Sequence, residues 1–281
     1  GIGSTLVVNG SLSVGSLIGF NIFSSRALVL ASGAQRSYLN LSGLNTLISS
    51  TYEKLKDSKN RSKGMQLNAI SGNIVLKKVD FSYDNSEFLF RNFSISIKSG
   101  EVIVISGSNG DGKTTLSKII LGIHEPNAGE VLVDGTNLSK LSLNWWKNQV
   151  AYIPQNPDIL YSSIMDNILM GNNKLNEQEV SRLLQTVGLD DKLKKSNLTI
   201  LNTVDNKLSK GILKKIHYAR ALAQNPKVFL MDDPLGHLDD DGVKMVLKLI
   251  ESLKRSNKTI ILFSDNKLIS DISDNTISIG N

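Results

Sequence analysis

An apolar run, Val102-Ile103-Val104-Ile105, passes without alternation into Gly107-Ser108-Asn109-Gly110-Asp111-Gly112-Lys113-Thr114. No other stretch constrains the chain as much. An unbroken apolar run before a glycine-dense turn and a helix-compatible tail predicts a buried strand, a phosphate-binding loop and a helix start. The spacing G-x-x-x-x-G-K-T is the P-loop pattern. Its glycines let successive backbone N–H groups turn inward onto phosphate oxygens, and a helix starting near Lys113 directs its positive end at them. Lys113 adds a point charge for the terminal phosphates, and the Thr114 hydroxyl is placed for Mg2+. Gly107, Ser108, Asn109, Gly110, Asp111, Gly112, Lys113, Thr114 and Thr115 are therefore the candidate residues for a nucleoside triphosphate. The rival reading is a glycine turn that matches the pattern by chance.

Composition narrows the context. A chain of 281 residues, 40% hydrophobic and 21% charged, can bury a full core and carry an appendage besides one large domain. Without cysteine there is neither a disulfide framework nor a thiolate metal site, and His124, His217 and His237 do not fall at ligand spacing. Metal is expected only with the nucleotide. The net charge of +6 comes from dispersed cations and aromatics are only 6%, so the expectation is a solvated or membrane-facing basic surface and no nucleic-acid partner.

The N-terminal stretch differs from the rest. Gly1 to Ser25 carries no charged residue, and Arg26 is the only one before Arg36. Leu12, Val14, Leu17, Ile18, Phe20, Ile22, Phe23 and Ala27 to Leu30 make a run close to the ~20 residues of a membrane span, interrupted by Asn21, Arg26 and serines. A span and a buried soluble helix both remain open; a cleaved signal peptide does not fit, because no basic residue precedes the run. Asn9-Gly10-Ser11 would be a turn between two spans. Leu41, Leu44, Ile48, Tyr52 and Leu55 recur at helical steps, as in a helix leaving the bilayer. Lys54, Lys56, Lys59, Arg61 and Lys63 would then mark the cytoplasmic side, unless they are an ordinary solvated charge run. The expected domains are 1–56, the end of a transmembrane domain; 57–69, a linker; and 70–281, a nucleotide-binding domain. A start at Gly1 rather than Met suits a fragment of something longer.

Beyond Ile70, strands and helices alternate. Strands are predicted at Ile74–Val79, Phe93–Ile97, Gly129–Val133, Val228–Met231 and Thr259–Phe263, the last two each after a helix, as a parallel sheet requires. The run Leu230-Met231-Asp232-Asp233-Pro234 has the form of a Walker B element. Asp232 at the strand end would hold Mg2+, and Asp233 would face the attacking water.

With these motifs in their order, the chain resembles the ATP-binding cassette (ABC) family from about Ile70 to its end. Phe81-Ser82-Tyr83 lies where the family carries an aromatic that stacks on adenine, and Tyr83 matches best, although a plain core tyrosine is the alternative. Tyr152-Ile153-Pro154-Gln155-Asn156-Pro157 resembles the Q-loop, which implies that Gln155 contacts Mg2+ and senses the coupling surface. Leu208-Ser209-Lys210-Gly211-Ile212, followed by Ala219-Arg220-Ala221-Leu222, occupies the place of the signature motif. The resemblance implies that Ser209 and Gly211 serve the phosphate of a second ABC subunit, in a homodimer or a heterodimer. Gly236-His237-Leu238-Asp239 resembles the D-loop, and His237 reads either as an interface or as a surface residue. The segment Gly10 to Gly19 is similar to the entry of the last transmembrane helix of exporters of the type I secretion and peptide-exporter kind. The implied fold is α/β, a P-loop ABC ATPase domain behind an N-terminal helical membrane-spanning segment. The implied function is membrane export powered by Mg·ATP, with the nucleotide-binding domain cytoplasmic. Trp145, Trp146 and His217 read as packing residues, His217 with a solvent-facing alternative.

The departures from the family pattern fall at the catalytic positions. Asp233 stands where the family has Glu, one methylene longer, and a misplacement of ~1 Å can cost ~100-fold. Asp265 stands at the switch histidine and can only accept when ionised. A carboxylate about 4 Å from a phosphate charge is repelled by ~1 kcal/mol in water and ~4 at an effective dielectric of about 20, so Asp265 must turn away or take a cation, with Asn266 as a substitute donor. Lys210 replaces a glycine, Ile212 a glutamine, and Asn202 to Lys207 is shorter than the exporter loop before the signature. Gln155, Asp233 and Asp265 remain the candidate catalytic residues, and Thr114, Gln155 and Asp232 the candidate metal ligands. The expectation is retained Mg·ATP binding with slow hydrolysis. The alternative is a regulatory or structural subunit whose partner hydrolyses ATP.

Overall fold

The central strands read as unbroken apolar runs because both faces of their sheet are covered. Val102, Val104, Phe229, Met231, Ile260 and Leu262 pack into one core, while Ile103, Ile105, Val228, Leu230, Ile261 and Phe263 pack into a second. Side chains alternate across a strand, so a sheet buried on both sides needs apolar residues at every position. The computed structural model describes residues 10, 13, 15–16, 18–30, 64–83, 87–159, 163–170, 172–189 and 208–280. The chain divides into two units, Gly1–Asn60 and Arg61–Asn281.

The second unit holds two sheets. One contains β1 (Ile74–Phe81), β2 (Phe90–Ile97), β4 (Ala128–Val133) and β5 (Thr136–Asn137) in the order β2-β1-β4-β5, with β1 antiparallel to both its neighbours. The other is parallel and contains β3 (Val102–Ser106), β6 (Val150–Ile153), β7 (Val228–Asp232), β8 (Thr259–Phe263) and β9 (Asn275–Ser278) in the order β6-β7-β8-β3-β9. Ile105 pairs with Phe263, Phe263 with Asp232, and Ile153 with Met231. This register brings the ends of β3, β6, β7 and β8 to one edge, where open α/β sheets bind ligands.

The helices are α1 (Lys113–Ile120), α2 (Leu143–Gln149), α3 (Ile164–Leu169), α4 (Glu177–Thr186), α5 (Lys210–Gln224), α6 (Asp240–Arg255) and α7 (Lys267–Ser270). Caps set their starts: the Asn176 side chain accepts from Glu179 N, that of Ser209 from Ile212 N, and that of Asp239 from Gly242 N. Trp146 on α2 is fully buried and its indole N–H donates to Ile120 O at 3.0 Å, so it packs as expected. Trp145 is partly buried against the same core.

In the first unit, residues 18–30 are helical, and Phe20, Phe23 and Leu30 are exposed. Among the described residues, no helix is long and apolar enough to cross a membrane, so the predicted membrane-spanning segment is not seen as such. Asn21 and Arg26 lie within the helix that is described and lower its apolar character. The predicted helix through Leu41 to Leu55, the cationic cluster from Lys54 to Lys63 and the loop Asn202 to Lys207 lie outside the described residues; of the turn Asn9-Gly10-Ser11 only Gly10 lies within them.

Candidate nucleotide-binding site

The loop after β3 turns on glycines that no other residue replaces cheaply. Gly110 and Gly112 have φ of 102° and 95°, and a Cβ on Gly112 would lie 2.7 Å from Phe90 Cζ and 2.9 Å from Leu89 Cδ2. Behind Gly112, α1 starts at Lys113 with no side chain capping its first turn. Its leading N–H groups are left for a ligand, and the helix dipole favours an anion there. They border a cavity of about 570 Å3 lined by the loop and by Gln155, Asp232, Asp233 and Asp265 from the ends of β6, β7 and β8. Ser108, Asn109, Gly110, Gly112, Lys113, Thr114 and Thr115 all line it, whereas Gly107 and Asp111 stand behind as loop supports. Asp111 Oδ2 accepts from Ser108 N at 2.5 Å.

Across this cavity, Thr114 Oγ1 donates to Asp232 Oδ2 at 2.7 Å, and the Tyr152 hydroxyl approaches the same oxygen at 3.5 Å. Burial raises the Asp232 pKa above the usual carboxylate value, only partly offset by the Thr114 hydrogen bond and the Lys214 charge. A hydroxyl, a buried carboxylate and the amide of Gln155 on one cavity form an all-oxygen donor set. That chemistry fits Mg2+, which is bound through one or two protein oxygens plus phosphates. Among the described residues, no group of His, Cys, Asp and Glu could hold a metal without such help.

Comparison with known proteins decides the lineage. The family profile described as ABC transporter matches residues 90–236, just over half of the 281-residue chain. The chain belongs to the ABC transporter family. It is 30% identical over 272 residues to the alpha-hemolysin translocation ATP-binding protein HlyB of Escherichia coli O6:H1, covering 93% of this chain and 38% of that protein. It is 28% identical over 272 residues to the leukotoxin translocation ATP-binding protein LktB of Mannheimia glucosida, again 38% of the relative. It is 31% identical over 209 residues to ABC transporter B family member 1 of Arabidopsis thaliana, covering 73% of this chain and 16% of that one. The chain thus spans well under half the length of the relatives it matches. A solved bacterial Atm1-family ABC exporter with ATP bound superposes with a TM-score of 0.73 at 21% identity, over 78% of this chain and 38% of that one, and so shares the fold.

Within this ABC cassette, the altered residues have definite places. Asp265 takes a cation, and the cation is Lys113: Nζ donates to Asp265 Oδ2 at 2.8 Å, while Oδ1 accepts from Gly107 N at 2.8 Å. Burial alone would push the Asp265 carboxyl up, but the Lys113 and Gly107 hydrogen bonds and the Lys113 charge outweigh it and hold the pKa below its ordinary value. Asp233 sits at φ 46°, with its N–H donating to Phe263 O at 3.0 Å. Its carboxylate lies against Gly236, where an added Cβ would fall 2.3 Å from Asp233 Oδ2. Asn266 lines the cavity, but its side chain caps α7 by accepting from Leu268 N at 2.9 Å.

The Tyr83 hydroxyl shares a 2.9 Å hydrogen bond with Thr115 Oγ1, and its ring meets Phe81 and His124 edge-on. With 43% of its surface exposed, it is not a core tyrosine. Ser209 and Gly211 are not brought to the P-loop cavity of the cassette. They line a separate hollow of about 170 Å3 with Ile212, Lys215, His237 and Asp239. Gly211 packs under the His237 carbonyl, 2.7 Å from where a Cβ would sit. His217 is buried, donating from Nε2 to Asp158 O at 2.7 Å.

One functional residue escapes sequence reasoning. Lys214 on α5 is fully buried, and its Nζ donates to Pro154 O at 3.0 Å, Asp232 O at 3.2 Å and Asp233 O at 2.8 Å. Burial pulls its pKa down to about 8, against the attraction of Asp233 and Asp232. It ties the signature helix to the start of the Q-loop and the end of β7. The available signal was its spacing from Tyr218, four residues on and also fully buried, which puts Lys214 on the inner face.

Proposed function

We propose that this chain is the ATP-binding cassette of a membrane exporter, with residues 1–56 the end of its transmembrane domain, 57–69 the linker and 70–281 the cassette. On this reading the cassette lies on the cytoplasmic face of the membrane and acts against a second ABC subunit, which supplies the Ser209 and Gly211 equivalents that its own P-loop cavity lacks. The observation that carries the reading is the Thr114–Asp232 hydrogen bond of 2.7 Å across a cavity headed by an uncapped helix start. Thr114, Asp232 and Gln155 would hold Mg2+, which supplies charge neutralisation of the phosphates when bound. The first-turn N–H groups of α1 and Lys113 bind and orient the triphosphate, and Tyr83 offers its exposed ring to the base. Asp233 is the group left to polarise water, from a position drawn back toward Gly236.

A second reading, a regulatory subunit that binds ATP while its partner hydrolyses it, is favoured by one observation. Asp265 neutralises Lys113 where a donor to phosphate is expected. Steady-state ATP turnover of the purified chain and of Asp233→Glu/Asp265→His separates the two. The motor reading expects turnover below ~1 s⁻¹, the low edge of ordinary enzymes, rising about tenfold or more in the double variant. Unchanged turnover in a variant that still binds nucleotide supports the regulatory reading.

A further inference from the structure

Three donors of the P-loop are engaged by acceptors of the chain itself. Gly107 N and Lys113 Nζ each donate to Asp265, both at 2.8 Å, and Lys113 Nζ donates as well to Gly107 O and to Ser108 O. Ser108 N donates to Asp111. The start of α1 is different, since no side chain caps it. The anion site is therefore split: its inner half, at the helix start, is open, and its outer half, around Lys113, already holds a carboxylate.

P-loop chemistry distributes the phosphates along the same line. Backbone N–H groups at the helix start take the inner phosphates, and the lysine reaches outward to the terminal ones. Resting on the nucleotide-binding reading above, we infer that Asp265 is an internal competitor for the terminal phosphate, so that the resting cassette selects nucleoside diphosphates over triphosphates. The carboxylate and a phosphate oxygen both accept and both carry negative charge, so they exclude each other from Lys113. The contact can open. The Asp265 side chain is 55% exposed against 14% for Lys113, so the aspartate can swing into water while the lysine stays. A triphosphate must displace Asp265 to reach Lys113 fully, whereas a diphosphate engages mainly the open inner half.

Isothermal titration of Mg·ADP and of a non-hydrolysable Mg·ATP analogue into the wild-type chain, Asp265→Asn and Asp265→Ala tests this. The asparagine keeps the shape and removes the charge. Both variants are expected to bind the triphosphate analogue about fivefold more tightly, the upper end for a partly exposed ion pair, with diphosphate affinity changed less than twofold. An equal change for both nucleotides, or weaker triphosphate binding, overturns the inference while leaving the nucleotide reading intact. No binding of either nucleotide to any of the three proteins overturns that reading and the inference together.

Discussion

Thr114 and Asp232 meet at 2.7 Å although 118 residues separate them in the chain. One is in the first turn of the helix after β3 and the other ends β7, and the strand β8 lies between β3 and β7. The pair exists because the parallel register sets Asp232 beside Phe263 and Phe263 beside Ile105.

Neutralising this carboxylate separates its two roles. Burial raises the Asp232 pKa, so the charge is held at pH 7 at a cost to the fold. Asp232→Asn is expected to raise the melting temperature of the nucleotide-free chain. The same variant loses the Mg2+ dependence of nucleotide binding. Differential scanning calorimetry with nucleotide titrations in Mg2+ and in EDTA checks both, and a lower melting temperature contradicts the assignment.

Lys214 is expected to be structural as well as positional. Lys214→Met keeps an unbranched chain but leaves the carbonyls of Pro154, Asp232 and Asp233 without their buried donor. The loss should be about 2 kcal/mol or more, since each unsatisfied buried group costs ~1–3 kcal/mol. Urea unfolding measures it, and a neutral result would show that Lys214 does not hold these carbonyls.

His217 makes the chain acid-sensitive. Burial first, and then the Arg220 charge, lower its pKa from 6.5 to about 4 in the folded state. Between those values the unfolded chain binds the extra proton, so stability is full above pH 6.5 and falls as pH drops toward 4. The loss from this residue is about 3 kcal/mol at most. His217→Gln should flatten the stability profile across that window, and an unchanged slope in urea titrations from pH 7 to about 4 would contradict it.

Gly112 tests the loop itself. At φ 95° with Phe90 and Leu89 within 3 Å of any Cβ, Gly112→Ala must shift the loop or the strand start. The expected result is at least about 1 kcal/mol of destabilisation, from strain at a left-handed position, and tenfold weaker nucleotide binding.

Much of this was legible in the residues because local chemistry and tertiary demand agree. The strand and loop from Val102 to Thr114 are where the glycine spacing puts them, and Thr259–Phe263 has the predicted bounds. Agreement fails where tertiary context overrides pattern. Asn275–Ser278 is an edge strand with mostly exposed polar side chains, so it carries no apolar signal. Val150–Ile153 is only four residues long and follows α2 directly. The start of β2 at Phe90 is obscured by Asn92, a positive-φ residue at 50° that breaks the alternation before Phe93. Lys214 is obscured for another reason: beside Lys215 it looks like a solvated pair despite its helical spacing from Tyr218, and the carbonyls converging on it explain its burial.

On the proposed function, the cavity at the ends of β3, β6, β7 and β8 binds Mg·nucleotide through the P-loop. Calorimetric titration of a non-hydrolysable Mg·ATP analogue, the ligand whose terminal phosphate needs Lys113, into the wild-type chain and Lys113→Ala is the direct test. The expected result is saturable binding at one site per chain, weakened at least about tenfold, or ~1.4 kcal/mol, by the substitution. Absence of binding to the folded wild-type chain, or equal affinity in Lys113→Ala, would contradict it.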